Sequence, residues 1–132
     1  MTLDRLPSTE KIASSYQLVT ATGASGHVYE FQVDPLGTKF RPIPGLYVFS
    51  RPDAEREWCA VYVGQTHDLQ ARVGGGLENH HCYLRAQKAD VTHIGVSPYP
   101  GTEFRRKAAE ADLIAALDPP LNRTNPARNA FG

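Results

Sequence analysis

The chain has 132 residues, 41% hydrophobic and 21% charged, the profile of one globular domain whose core needs no disulfide or metal staple. Fourteen basic and fourteen acidic residues cancel to a formal net charge of zero, so the chain is not built to coat nucleic acid indiscriminately, although a local basic patch stays open. No apolar run approaches the ~20 residues of a membrane helix, and the only two cysteines, Cys59 and Cys82, point to reduced thiols rather than a bridge.

Residues 1–15 read as a lead-in without the basic start and apolar block of a secretory signal, so the expected compartment is the cytoplasm, with no membrane partner. Residues 16–44 read as an accessory hairpin and a proline-rich entry. Tyr16 to Thr22 and His27 to Val33 alternate around Gly23-Ala24-Ser25-Gly26, the pattern of two strands and a four-residue loop, with His27, Tyr29, Phe31 and Val33 on one face. Pro35, Gly37, Pro42 and Pro44 then break regular structure up to Gly45.

Gly45 to Ser50 and Cys59 to Thr66 carry the strongest strand signals and are expected to pair antiparallel across the polar connection Arg51 to Trp58. A register pairing odd with even positions puts Gly45, Tyr47 and Phe49 on the face of Ala60, Tyr62 and Gly64. Two tyrosines then flank two glycines, and the bare glycines leave room for a ligand to approach the backbone. Asp68 is expected to cap a short helix, Leu69 to Val73, with Arg72 one turn in and Gly74-Gly75-Gly76 stopping it. Asn79 to Ala89 suits a second helix, Val91 to Tyr99 a third core strand, and Pro98-Tyr99-Pro100-Gly101 a turn. Thr102 is the expected N-cap of the main helix, which runs to Leu117 and ends at Asp118-Pro119-Pro120 because proline cannot continue it. Residues 123–132 read as a tail.

On the main helix, Leu113, Ile114 and Leu117 cluster on one side at about 100° per residue, and Glu110 points along their mean direction. A carboxylate there is costly unless it is paired, protonated or bound to a cation. Arg106, one turn earlier, is the plain partner; a metal ion is the functional one.

Together these residues form a pattern. Gly45-Leu46-Tyr47 and Tyr62-Val63-Gly64 resemble the paired tripeptides that name the GIY-YIG nuclease superfamily, and the segment Gln65 to Arg72 resembles its arginine-bearing helix. Glu110-Ala111-Asp112-Leu113-Ile114 resembles the segment with its metal-binding glutamate, and Pro119-Pro120-Leu121-Asn122 its terminal motif. The order of the elements agrees over residues 45–122. The resemblance implies an α+β fold in which a three-stranded antiparallel core sheet is flanked by helices, with the N-terminal hairpin as an addition that extends the sheet or contacts substrate. It further implies a divalent-metal-dependent endonuclease that hydrolyses phosphodiester bonds in nucleic acid, DNA in preference to RNA, with one Mg²⁺ (or Mn²⁺) ion. The chain departs from the family where a histidine often follows the helical arginine by one turn: that position is Gly76, and His80 and His81 come later. Leu46 and Val63 replace the name-giving isoleucines and are expected on the opposite, core-facing side of the sheet.

Phosphodiester hydrolysis needs an activated water, neutralised phosphate charge and a stabilised leaving oxygen. Glu110 is expected to hold the hard ion, Arg72 to present its planar fork of donors to the phosphate, and Tyr47 and Tyr62 to orient water or phosphate. Tyr47 is the first choice of base by resemblance, with His80 or His81 as the alternative proton acceptor, since a tyrosine near its ordinary pKa of ~10 is a weak base. Asn122 is expected to fix the loop after the helix and to reach the metal shell or substrate. Gly45 and Gly64 would admit the substrate, and Arg105, Arg106 and Lys107, joined by Arg123 and Arg128, would line a basic groove. With no separate recognition domain, specificity would come from a partner protein, a homo-oligomer, or a preference for nucleic-acid structure. His80, His81 and Cys82, with His93 or Cys59, match no common zinc spacing, and His93 reads as a strand residue beside the site. The rival readings are a catalytically inactive nucleic-acid-binding module of the same fold and a nuclease toxin.

Overall fold

The structure is a computed structural model that describes residues 17–55, 57–75, 77 and 80–123. The expected lead-in, Tyr16, Gly76, Asn79, Arg128 and the rest of the expected tail from residue 124 lie outside these residues. Apolar and β-branched runs form five strands: β1 (Gln17–Thr22), β2 (Val28–Pro35), β3 (Gly45–Pro52), β4 (Trp58–Thr66) and β5 (His93–Pro98). They pair antiparallel throughout in the order β1-β2-β5-β3-β4. The expected three-stranded core is present as β4-β3-β5, but it is too small a description. β2 lies against β5, with Val33 opposite Gly95, so of the two roles expected of the hairpin it takes that of extending the sheet. Without β2 the backbone donors and acceptors of β5 would face an open edge.

β3 is an interior strand, between β5 and β4, and every residue from Gly45 to Ser50 is buried. Its odd positions, Tyr47 and Phe49, pack with Leu69, Val73, Ala86, Val91 and Val96 in one layer. Its even positions, Leu46 and Val48, pack with Val63, Phe31, Val33, Ala109 and Leu113 in the other. Ala109 and Leu113 belong to helix α2 (Glu103–Leu117), while the short helix α1 (Tyr83–Lys88) covers the first layer through Ala86. The second helix is thus shorter than its expected span.

Two local features depart from regular geometry. The β3–β4 register runs Tyr47↔Gly64 and Phe49↔Tyr62 and then slips to Ser50↔Ala60, which leaves Val61 as an extra residue in β4. The bulge turns Ala60 and Trp58 onto the α2 side of the sheet, so Ala60 does not share the face of Tyr47 as expected. The arginine-bearing turn, Gln70–Gly74, is π-helical: the Gly75 N–H bonds to the Gln70 carbonyl at 2.7 Å, and Asp68 Oδ1 accepts from the Ala71 N–H at 2.9 Å. At α2 the Thr102 hydroxyl accepts from the Arg105 N–H at 3.1 Å, the expected cap. The helix stops at Asp118, which is left-handed at φ 46° and is followed by Pro119 and a 3₁₀ turn, Pro120–Asn122. Among the described residues no helix is long and apolar enough to cross a membrane.

Candidate active site

The site forms at the open edge of β4, and a glycine explains why. A Cβ on Gly64 would run into the Tyr47 ring and hydroxyl, so the phenol lies across the Gly64 backbone, pointing from β3 toward that edge. Tyr47 is 1% exposed. A Cβ on Gly45 would meet Leu69 Cδ1 and the Ser97 carbonyl, each at 2.7 Å. Neither Gly45 nor Gly64 leaves a bare surface for substrate; the protein's own groups fill both places, which corrects that expectation.

Two histidines from the turn before α1 close over the phenols. His80 Nδ1 accepts from the Cys82 backbone N–H at 3.0 Å, so in the neutral ring the proton sits on Nε2 and is donated to Tyr47 Oη at 2.6 Å. Burial, with help from the Arg72 and His81 charges, pushes His80 down to about 3, so the ring is neutral at any ordinary pH. His81 repeats the arrangement one residue on. Arg72 Nη2 lies 3.0 Å from His81 Nδ1 and can only donate, so Nδ1 accepts and Nε2–H is left to donate to Tyr62 Oη at 3.2 Å. The two imidazoles stack with centroids 4.6 Å apart and planes 17° from parallel. Both are donors to tyrosines with their acceptor nitrogens already engaged, so neither is the free proton acceptor expected of His80 or His81.

The Arg72 guanidinium also lies beside the Tyr47 hydroxyl. Burial nevertheless dominates and lifts the Tyr47 pKa to about 12; Arg72 pulls it down and the charge of Glu110 pushes it up. Tyr62 is raised as well, by burial first and then by Tyr47, Cys82 and Glu110, against Arg72. Glu110 and Arg72 therefore both lie within electrostatic reach of both phenols, although they arrive from opposite layers of the sheet.

The edge of β4 explains how Glu110 gets there. Asn122 Oδ1 accepts from the Val63 N–H at 2.6 Å while its Nδ2 donates to the Val63 carbonyl at 2.9 Å, in the manner of an added strand. Two residues further along the same edge, the Gln65 N–H faces the Glu110 carboxylate. Burial raises the Glu110 pKa, against that N–H and the Lys107 charge. Asn122 fixes the post-helix turn, as expected, but with its amide committed at both ends to Val63 it does not also reach out to metal or substrate. The plain Glu110–Arg106 pair does not form either. Arg106 is buried and donates to the Gln65 side chain at 3.1 Å and to the Gly101 carbonyl at 3.0 Å.

The expected basic groove is dispersed. Arg106 is committed to Gln65 and Gly101, Lys107 pairs with Glu103 at 3.2 Å, Arg105 is exposed on the hairpin side of α2, and Arg123 grips Asp118 through two bonds of 3.1 and 2.8 Å. His93 does not lie beside the site: it pairs with Ser50 at the other end of β3, its ring against Trp58 at 4.8 Å. Donor atoms of His80, His81 and Cys82 lie within 4.8 Å of one another. The hydrogen bonds to both Nδ1 atoms and the adjacent guanidinium make that cluster a poor cation site. Gln65 is the participant that the sequence pattern did not single out, since its role depends on which way one edge N–H points.

No family model, no curated protein and no solved structure matches this chain.

Proposed function

We propose that the protein is a divalent-metal-dependent endonuclease of the GIY-YIG type, acting on DNA in preference to RNA. The observation that carries this reading is convergence: two phenols from adjacent strands, a guanidinium from the π-helical turn and a carboxylate from α2 act on one another's charge at one open strand edge. A purely structural cluster has no need to hold a half-buried carboxylate whose pKa burial raises.

Glu110 fits a hard cation. It supplies oxygen, forms no ion pair among the described residues, and sits near the phenols. A Mg²⁺ or Mn²⁺ ion held there would neutralise charge on the phosphate and on the departing oxygen. Arg72, fixed at one nitrogen by His81, keeps further N–H groups for two phosphate oxygens. Tyr47 Oη, held by His80 beside the Arg72 charge, orients the attacking water and in its phenolate form takes the water's proton. His80 is a donor that favours this phenolate, and Tyr62, held by His81, donates to the phosphate.

The test is nicking of supercoiled plasmid with Mg²⁺ and with chelator. Cleavage that needs the metal, disappears in Glu110→Ala and leaves DNA binding intact supports the enzyme. Because Tyr47 is raised to about 12, the rate should climb about tenfold per pH unit across the neutral and mildly alkaline range, and Tyr47→Phe should flatten that rise. Retained DNA binding with no metal-dependent cut would sink this proposal and leave the inactive module.

A further inference from the structure

On the α2 side, at the end of the sheet away from Gly64, all five strands and the C-terminal end of α2 enclose a trough of about 530 Å³. Val19 and Ala21 of β1, Phe31 and Val33 of β2, and Trp58 and Ala60 of β4 give it apolar walls. The β4 bulge builds one wall by turning Trp58 and Ala60 inward. Ser50 of β3 also lines the trough. It is 4% exposed, and its hydroxyl has no hydrogen-bond partner among the described residues. A buried hydroxyl left unmatched costs stability and is rare in native folds, so a polar atom of a ligand is its natural complement.

We infer that this trough binds an uncharged, mainly apolar small molecule with a single hydroxyl or carbonyl that bonds to Ser50 Oγ. The volume lies within the range of small-molecule pockets, and apolar walls with one polar anchor are how such pockets fix orientation. An anionic head group is disfavoured because Asp53, whose carboxylate accepts only backbone N–H groups among the described residues, stands in the lining, whereas Asp118 is already paired with Arg123. The site is independent of the nuclease reading: it lies on the other layer of the sheet from Tyr47 and uses none of the same side chains.

Trp58 is the chain's single tryptophan, so a brominated ligand seated in the trough quenches the whole tryptophan signal. The experiment titrates the full chain with 8-bromo-1-octanol, 1-bromooctane and 8-bromooctanoate. The alcohol should quench most tightly and the carboxylate least. Ser50→Ala should weaken the alcohol about fivefold while leaving bromooctane unchanged, since a neutral hydrogen bond is worth about that much. Ala60→Phe should weaken both by filling the trough; Ser50→Ala, which removes an unmatched hydroxyl, should fold at least as well as the parent. The inference is overturned if none of the three quenches, if Ser50→Ala treats alcohol and bromooctane alike, or if quenching is blocked as protein concentration rises, which would place a second copy over the mouth.

Discussion

Glu110 and Asp112, two positions apart on α2, look to opposite flanks of the helix. Asp112 faces the β1–β2 turn, where it accepts from the Ser25 N–H at 2.7 Å, the Ser25 hydroxyl at 2.7 Å and the Tyr29 hydroxyl at 2.9 Å. Gly23 completes the fit, because a Cβ there would collide with the Asp112 carboxylate. Those donors, Ser25 foremost, hold the Asp112 carboxyl below the usual range, whereas burial holds Glu110 above it. On one flank the charge is matched and ties the hairpin to the helix. On the other it is under-matched, facing one backbone amide and, among the described residues, no cation pair, beside two phenols and a guanidinium. A carboxylate's role on a helix is thus decided by how many donors the opposing element brings to it.

The largest expected effect breaks the Glu110 side of this contrast. Glu110→Gln should lower metal-dependent cleavage by ~100-fold or more, as loss of a main electrostatic group does, without lowering the melting temperature. A raised carboxyl pKa means the folded state binds more protons, so wild-type stability falls as pH rises from the unfolded value of 4.5 through the higher folded value. The glutamine variant should accordingly melt higher than wild type at neutral pH, and the gap should close below pH 4.5. Melting curves across that range check it, and a lower melting temperature for the variant at neutral pH would contradict the assignment.

Next in size, Gly64→Ala drives a methyl group into the Tyr47 ring, and because the ring is buried the cost should be ~1–3 kcal/mol of overpacking. Cleavage should fall with it, since the phenol must leave the β4 edge; urea unfolding and the nicking rate report the two separately. Asn122→Ala removes both bonds to Val63 and should cost about 1–2 kcal/mol in the same unfolding experiment, less than two fully buried bonds because edge groups regain water. The smallest effect on activity is expected at Asp112→Asn. The cleavage rate per folded molecule should hold while stability drops at neutral pH. A depressed pKa contributes stability that is present above the unfolded value of 3.8 and is lost as pH falls through the folded value, so the gap between parent and variant should narrow below pH 3.8. Opposite pH slopes for the two variants would sharpen the comparison; parallel slopes would end it.

Much of the frame was legible in the residues. The alternation of Gly45 to Ser50 against Cys59 to Thr66, the Thr102 cap, and the stop at Asp118 and Pro119 all follow from preferences within a few positions. The tyrosine and glycine of the two tripeptides were expected on one face, and Tyr47 stands opposite Gly64. The purpose of that glycine was not legible: spacing says that a Cβ is missing, and only packing says that a neighbouring phenol occupies its place. The tautomers of His80 and His81 were equally out of reach, since they depend on an N–H at Cys82 and a guanidinium at Arg72.

By itself, then, the order of residues determined which segments pleat, which coil, where each ends, and that an acid would lie on the main helix near its apolar stripe. Those outcomes rest on backbone preferences and side-chain periods that operate locally. Tertiary structure alone decided that β2 would complete the sheet beside β5, that a bulge would turn Ala60 and Trp58 into a trough around Ser50, and that Asn122 and Glu110 would share the edge of β4. Each of these turns on register and on hydrogen-bond partners brought together from distant segments, where a slip of one residue reverses every side chain.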